Sequence, residues 1–293
     1  MQLATWNVHG KSICQTAAAL ADQQISFDAL ALQEVGALPE GIDADPSLLI
    51  DAADLPIAAR DDLANYWILG TNNLQSHLGQ ALLFDKTLFP AILQVHKGQR
   101  SLGAKLALRS GGFLWILGVH FPHHQNDMDV YAAATREIHS FAAKVQGTPF
   151  LIAGDWNSQP DGPNMDQQAL EIACLAAEDL LHIAMPAGPT WQRKTYDFFL
   201  CSQHLHSKLS PATAQPYTVP HMRDLLPSDH HLVAWDLVWE KGSKRKRTSH
   251  FHTAKWTINS EALAAAIQSA APARDRKSTR LNSSHVSESR MPS

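Results

Sequence analysis

Short apolar runs alternate with amphipathic segments along the first 240 residues of the chain. Apolar residues at helical spacing predict three helices, at residues 12–24, 127–145 and 166–181. Compact apolar runs that lack this spacing predict strands, at residues 3–8, 29–33, 66–70, 80–84, 93–96, 104–109, 113–120, 150–153, 196–201 and 232–239. Residues 36–62 are rich in Pro, Asp and Ala, which predicts a long surface excursion. The mixed order predicts one large α/β domain in which helices cover sheets.

Charge is distributed unevenly along the chain, although the net charge is only -4. Residues 1–240 carry 13 Lys and Arg against 25 Asp and Glu, a net charge of -12. Residues 241–293 carry 11 against 3, a net charge of +8. An acidic body is unfavourable for binding a polyanion, but clustered carboxylates are expected where a protein binds divalent cations.

The cysteines and the lengths of the apolar runs indicate the cellular compartment in which the protein is expected. The three cysteines are scattered without a Cys-x-x-Cys spacing, which argues against a disulfide scaffold and a zinc cage. The first predicted strand starts at the N-terminus, so no signal peptide is seen. The apolar runs are too short to cross a bilayer, which predicts no membrane partner. We therefore expect an intracellular protein.

The last part of the chain differs from the rest. Residues 241–247 are strongly basic and residues 254–271 have helical character, which predicts a basic, partly helical linker over residues 241–274. Residues 275–293 resemble the translation of a sequencing-library adapter, so we expect a disordered artefact there. The natural protein is then expected to continue into further domains.

One strand end carries the chemistry on which the functional hypothesis depends. The apolar run 150–153 leads into Gly154-Asp155-Trp156-Asn157, and turn residues follow. In an extended segment, the side chains of residues i and i+2 point to the same side. The side chains of Asp155 and Asn157 can therefore reach the same site, while Trp156 packs on the other side. A lone Asp-x-Asn is usually a turn, and the functional interpretation depends on the other strand ends.

Several other predicted strands also deliver polar side chains at or near one end. These groups are Asn7, Gln33, Glu34, His120, Asp197, Asp229 and His230. Mg²⁺ prefers carboxylate and other oxygen ligands, and phosphodiester hydrolysis needs an activated water, charge neutralisation and a proton-transfer group. The set therefore favours phosphodiester hydrolysis over acyl transfer, for which no Gly-x-Ser-x-Gly elbow is present.

The order and the residues of six motifs resemble those of the endonuclease/exonuclease/phosphatase superfamily. Within that superfamily, they most resemble the endonuclease domain of non-LTR retrotransposon polyproteins. The resemblance covers residues 1–240 and rests on Thr5-Trp6-Asn7-Val8, Leu32-Gln33-Glu34-Val35, Val119-His120-Phe121-Pro122, Gly154-Asp155-Trp156-Asn157, Tyr196-Asp197-Phe198-Phe199 and Ser228-Asp229-His230. It implies a four-layer α/β/β/α sandwich, with two mixed sheets packed face to face and helices outside.

The resemblance also implies roles, position by position. Glu34 resembles the principal metal ligand, with Asn7 beside it and Asp229 as a second carboxylate at the metal, which is Mg²⁺ or Mn²⁺. Asp155 resembles the group that orients or deprotonates the attacking water, and Asn157 resembles a phosphate ligand. His230 resembles the imidazole at the scissile phosphate, oriented by Asp197, and His120 resembles an assisting group. His9 stands where repair-type members often have Asp, so no metal role is predicted for it.

Three functions stay open at this point. The first is a DNA endonuclease of the retrotransposon type, which would place the protein in the nucleus; the basic segment after residue 240 favours it. The second is a hydrolase of lipid or small-molecule phosphoesters, favoured by the net charge of -12 over residues 1–240. The third is a catalytically inactive binding module, which the complete set of polar groups argues against. Whether Asp155 or His230 takes the proton of water is left open.

Overall fold

A computed structural model describes residues 1–36, 49–71, 79–123, 128–160, 167–178, 181–219 and 221–239. Its strands are β1 Gln2–Asn7, β2 Ala29–Val35, β3 Leu49–Ile50, β4 Tyr66–Thr71, β5 Gly79–Asp85, β6 Ala91–Lys97, β7 Ser101–Ala107, β8 Phe113–His120, β9 Phe150–Asp155, β10 Leu181–Ala184, β11 Asp197–Ser202, β12 Tyr217–Val219 and β13 Leu232–Asp236. Its α-helices are α1 Ile13–Asp22, α2 Ile57–Leu63, α3 Met128–Lys144, α4 Gln167–Glu178, α5 Gln203–His206 and α6 Met222–Leu225.

The strands form two mixed sheets. The first has the order β12-β13-β1-β2-β5-β4-β3 and the second has the order β10-β11-β9-β8-β7-β6. Only β1 with β2 and β8 with β9 pair in parallel among the described strand pairs. The hairpin between β7 and β8 is antiparallel, and Gly111 and Gly112 in its turn have φ values of 93° and 86°, which glycine adopts without strain.

Side chains alternate across each strand and so build three apolar layers. In β1, Leu3 faces the second sheet whereas Ala4 and Trp6 face the helices α1, α2 and α6. In β9, Leu151 faces the first sheet and Ile152 faces α3 and α4. The predicted four-layer α/β/β/α sandwich is therefore confirmed.

The prediction of a long surface excursion over residues 36–62 is wrong for the part that the structure describes. That part contains the short strand β3 and most of the helix α2, and Leu55 and Ala59 are buried in the core. The short elements β10, β12, α5 and α6 were also not predicted. The linker predicted over residues 241–274 and the artefact predicted over residues 275–293 lie outside the described residues, as does Asp127, where the helix predicted over residues 127–145 starts.

The helix α1 begins at a capping box. Ser12 Oγ accepts from the backbone N–H of Gln15 at 3.2 Å, and the Gln15 side chain accepts from the backbone N–H of Ser12 at 3.0 Å. Because loss of such a cap costs about 1 kcal/mol, we expect Ser12→Ala to lower the free energy of unfolding by about 1 kcal/mol in urea denaturation. Ser12→Asp keeps the acceptor and should stay close to wild type, and an equal loss in both variants would contradict the capping role.

The strand directions bring the predicted polar ends to one edge of the sandwich. The parallel strands β1 and β2 end at Asn7 and Val35, and the antiparallel strand β13 starts beside them. In the other sheet, β8 and β9 end with His120 opposite Asp155, and β11 starts with Asp197 opposite Asp155. No helix among the described residues is long and apolar enough to cross a membrane.

Candidate active site

A cleft of about 440 Å³ opens at the edge where these strand ends meet. Its walls combine charged, amide and aromatic side chains from both sheets. The lining residues are His9, Glu34, Arg100, His120, Phe121, Pro122, His123, Val130, Asp155, Asn157, Trp191, Asp229 and His230.

Asn7 connects the two sheets at the floor of the cleft. Its side-chain nitrogen donates to Glu34 Oε1 at 3.1 Å and to Asp155 Oδ2 at 3.0 Å. Its side-chain oxygen accepts from the backbone N–H of His9 at 3.1 Å, so the amide orientation is fixed. Two carboxylates from different sheets therefore meet at one amide nitrogen.

Glu34 reaches the cleft because its strand is irregular. The pairing of β2 with β5 shifts register between Leu32 and Val35, and Glu34 has a φ of 50°. Its carbonyl accepts from the N–H of Gly10 at 2.7 Å, which ties this bulge to the loop after β1. A bulge re-aims a side chain, and here the side chain of Glu34 lines the cleft.

Asp155 is held by its neighbours in the Gly154–Asn157 motif. Its Oδ1 accepts from the backbone N–H of Asn157 at 2.9 Å, and burial raises its pKa to about 7. Gly154 has no room for a side chain, since a Cβ would lie 2.0 Å from the carbonyl oxygen of Val119. Trp156 turns away and stacks on Phe198 with ring centroids 5.2 Å apart, as predicted.

Asn157 reaches the cleft by a different geometry from the one predicted. The strand β9 ends at Asp155, and Asn157 has a φ of 48° rather than an extended backbone. Its side-chain nitrogen donates to the carbonyl oxygen of Phe121 at 2.8 Å. Asp155 and Asn157 therefore line the same cleft because of a turn and not because of strand alternation.

Asp197 and His230 form a buried pair beside Asp155. His230 Nδ1 lies 2.8 Å from Asp197 Oδ2, and His230 Nε2 lies 3.8 Å from Asp155 Oδ2. Burial disfavours the imidazolium, but the carboxylates of Asp197 and Asp155 outweigh that effect and raise the pKa of His230 to about 10. Thr190 Oγ1 accepts from the backbone N–H of Asp197 at 3.0 Å and fixes the start of β11.

His120 lies close to the carboxylates of Glu34 and Asp155. Its Nε2 is 3.5 Å from Glu34 Oε1 and 3.9 Å from Asp155 Oδ2. Burial lowers its pKa to about 4. The site thus contains two imidazoles of opposite electrostatic character, with His230 favoured as the cation and His120 favoured as the neutral base.

Asp229 and His9 form the rim of the cleft near Glu34. His9 Nδ1 lies 3.4 Å from Glu34 Oε2 and 3.7 Å from Asp229 Oδ1. Trp191 Nε1 donates to Asp229 Oδ2 at 2.8 Å. Burial opposes ionisation of Asp229, but this hydrogen bond and the nearby imidazole of His230 lower its pKa below the usual range.

The donor set fits a divalent cation. Carboxylates of Glu34, Asp155 and Asp229 line the cleft, and among the described residues no group makes a hydrogen bond to the buried Oδ1 of Asp229. Ligand atoms of Asp155, Asp197 and His230 also lie within 4.8 Å of one another and could hold an ion. Within this second group, Asp197 Oδ2 and His230 Nδ1 already contact each other at 2.8 Å.

The structure brings together all eight residues to which the sequence analysis gave a role in the site. They are Asn7, Glu34, His120, Asp155, Asn157, Asp197, Asp229 and His230. Sequence reasoning predicted no metal role for His9 and did not single out Arg100 or Trp191, although all three line the cleft. The unusual φ of 45° at His9 and the turn before β7 at Arg100 leave no pattern that a single sequence reveals.

Solved structures similar to this chain share its sandwich architecture. The catalytic domain of human Nocturnin with bound sulfate has 17% sequence identity and a TM-score of 0.57, with 82% of this chain and 94% of that chain covered. An endonuclease/exonuclease/phosphatase family protein from Bacteroides thetaiotaomicron has 11% identity and a TM-score of 0.57, with 82% and 98% covered. The endonuclease domain of TRAS1, a telomere-specific non-LTR retrotransposon, has 12% identity and a TM-score of 0.55, with 82% and 99% covered.

Sequence comparison alone does not assign the chain to a family. No protein-family model matches it, and no curated protein matches it in sequence. At identities of 11–17%, the structural similarities establish the fold alone.

Proposed function

Because the chain has the fold of the endonuclease/exonuclease/phosphatase superfamily, we propose that it is a metal-dependent phosphodiester hydrolase and that its substrate is DNA. The observation that carries this proposal is the meeting of Glu34, Asp155 and the Asp197–His230 pair in one cleft. Two carboxylates that meet at one amide nitrogen favour binding of a cation, and a charged imidazole beside Asp155 favours binding of an anionic ester.

Glu34 is the proposed principal ligand of Mg²⁺ or Mn²⁺, with Asn7 and Asp229 beside it. The carboxylate oxygens of Glu34 and Asp229 match the preference of both ions, and the side-chain nitrogen of Asn7 holds Glu34 in place. When bound, the cation would neutralise charge on the phosphate oxygens and polarise the ester. Asn7 has a second role, because its hydrogen bond to Asp155 couples the ion site to the water site.

Asp155 is proposed to orient the attacking water and to accept its proton. Its carboxylate is fixed by Asn7 on one oxygen and by the backbone of Asn157 on the other. The raised pKa of Asp155 supports a basic carboxylate. Asn157 donates one N–H to Phe121, so its second amide N–H can bind a phosphate oxygen.

His230 is proposed to act as a cation at the scissile phosphate. Its Nδ1 is engaged by Asp197, which leaves Nε2 to face the ester and stabilise the developing charge. A protonated His230 cannot accept the proton of water, which supports Asp155 in that role. His120, whose Nε2 lies 3.5 Å from Glu34 Oε1, is proposed to assist at the phosphate or the leaving oxygen.

DNA is the proposed substrate, in the manner of a non-LTR retrotransposon endonuclease, and a nuclear location would follow. The similarity in fold to the TRAS1 endonuclease domain supports it, and so does the basic run at residues 241–247. The second candidate is a lipid or small-molecule phosphoester. The net charge of -12 over residues 1–240 favours that candidate.

One assay with both substrates distinguishes the two candidate functions. We expect the full chain with Mg²⁺ to nick supercoiled plasmid and to release no phosphate from phosphoinositide vesicles. Nicking should fall steeply with added salt, because contacts with several DNA phosphates release counterions. Phosphate release without nicking would support the second candidate. DNA binding without either reaction would support an inactive binding module.

A further inference from the structure

Trp191 contacts a proposed metal ligand from the wall of the cleft. Its Nε1 donates to Asp229 Oδ2 at 2.8 Å, and its half-buried side chain lines the cleft. A hydrogen bond from an N–H group to an ionised carboxylate is stronger than one between neutral groups. The indole therefore holds one oxygen of Asp229 and restricts the orientation of that carboxylate.

The other oxygen of the same carboxylate is not used by the protein in this way. Among the described residues, no group makes a hydrogen bond to the buried Oδ1 of Asp229, and His9 Nδ1 lies 3.7 Å from it. Burial of a charged oxygen without a hydrogen bond is unfavourable, and a divalent cation is a partner that carboxylate oxygens bind well. Because the indole engages Oδ2, Oδ1 is left as the candidate ligand atom.

The indole can hold Asp229 because Trp191 is itself well anchored. Its ring stacks on that of Tyr196, with centroids 5.4 Å apart and an interplanar angle of 15°, and Tyr196 is buried. Its backbone forms isolated β-bridges with Lys194 and with His230. Both the ring and the backbone of Trp191 are therefore fixed, so its N–H donor has a defined direction.

The residue before Trp191 attaches the same segment to the start of β11. Thr190 Oγ1 accepts from the backbone N–H groups of Tyr196 at 2.9 Å and Asp197 at 3.0 Å. The carbonyl oxygen of Thr190 accepts from the backbone N–H of His231 at 2.8 Å, and Thr190 is buried. This segment therefore fixes the start of β11 as well as the carboxylate that Trp191 contacts.

We propose that Trp191 is a positioning residue for the ion site, whose indole N–H holds Asp229 so that Oδ1 remains for Mg²⁺ or Mn²⁺. This role rests on the proposed function of the cleft as a metal-dependent site. Loss of a group that orients a metal ligand typically lowers metal affinity by about 10–100-fold. An indole suits the position because it is a donor only and cannot compete with the carboxylate for the cation.

The Kd of the full chain for Mn²⁺, measured from the EPR signal of the free ion, tests this role without turnover. We expect Trp191→Phe to raise that Kd about tenfold, because phenylalanine keeps a ring against Tyr196 and removes the N–H donor. Trp67→Phe is the matched control. Trp67 is also half-buried and donates its indole N–H, to the carbonyl oxygen of Phe89 at 2.9 Å, but it does not line the cleft. We expect Trp67→Phe to bind Mn²⁺ like wild type.

A double-mutant cycle separates positioning from a general loss of structure. We expect Asp229→Ala alone to raise the Kd for Mn²⁺, and Trp191→Phe to add nothing in that background, because both changes act through one carboxylate. In plasmid nicking, Trp191→Phe should raise the Mg²⁺ concentration that gives the half-maximal rate. A melting temperature measured for each variant shows that it is folded.

The outcomes distinguish failure of this role from failure of the proposed function. A higher Kd in Trp191→Phe that disappears in the Asp229→Ala background, in a chain that cleaves no phosphodiester, supports the role and removes the proposed function. A wild-type Kd in Trp191→Phe, in a chain that does cleave, overturns the role alone. Equal losses in both backgrounds, an equal loss in Trp67→Phe, or a wild-type chain that binds no Mn²⁺ also overturn the role.

Discussion

Replacement of His230 by alanine is expected to lower kcat for plasmid nicking by about two orders of magnitude or more. The proposed role explains the size of the effect, because Nε2 of His230 is the charged donor that faces the ester while Nδ1 is held by Asp197 at 2.8 Å. The single-turnover rate at saturating Mg²⁺ measures the loss. Asp197→Asn should lose part of the same activity, since it removes the negative charge that favours the imidazolium.

His231 provides the matched control for this prediction. It is the adjacent histidine and does not line the described cleft, whereas His230 does. We expect His231→Ala to retain a rate within a few-fold of wild type. Near-normal activity of folded His230→Ala protein, with its melting temperature unchanged, would show that the imidazole does not contact the reacting phosphate.

Replacement of Asp155 is expected to have an effect of similar size. Asp155→Asn keeps the volume of the side chain and removes its capacity to accept a proton, so kcat should fall by about two orders of magnitude or more. Asp155→Ala should be at least as slow, because it also removes the hydrogen bonds with Asn7 and the backbone of Asn157. Both rates are measured in the same nicking assay.

Asp61→Asn is the control for removal of a carboxylate. Asp61 is an exposed residue of α2 and does not line the described cleft. We expect this variant to nick plasmid at the wild-type rate, although it lowers the negative charge by the same amount. Equal loss in Asp61→Asn and Asp155→Asn would mean that net charge, and not a positioned base, limits the reaction.

The residues at regular strand ends could be predicted from the sequence. Asn7, His120 and Asp155 each end an apolar run, and Asp197 starts one. His120 and Asp155 end parallel strands, and Asp197 starts the antiparallel strand beside them at the same edge. The packing of the two sheets then brings Asn7 of the other sheet within hydrogen-bond distance of Asp155. These residues could be identified from the sequence because each polar side chain stands directly at the end of an apolar run.

Other features of the site depend on backbone geometry that no pattern encodes. Glu34 enters the cleft through a bulge, and Asn157 enters through a left-handed turn. Arg100 belongs to a tight turn whose anchors, Glu137 and Gln80, are 37 and 20 residues away in sequence. These contacts form only after the sheets and the helix α3 have packed.

The short elements escaped prediction for a related reason. The strand β3 has two residues and β12 has three, so neither contains enough positions to establish a period. Their pairing with β4 and β13 supplies the hydrogen bonds that define them as strands. Tertiary context therefore decides these segments, whereas amphipathic pattern is sufficient for the longer helix α3.

The rate of plasmid nicking by the purified full chain, measured with Mg²⁺ and again after EDTA, tests the central claim most directly. The carboxylates of Glu34, Asp155 and Asp229 make the cleft repulsive for a phosphate unless a cation is bound. We therefore predict nicking with Mg²⁺, none with EDTA, and recovery when the ion is restored. Folded protein that nicks no plasmid at any concentration of Mg²⁺ or Mn²⁺ would contradict the claim that this cleft hydrolyses DNA.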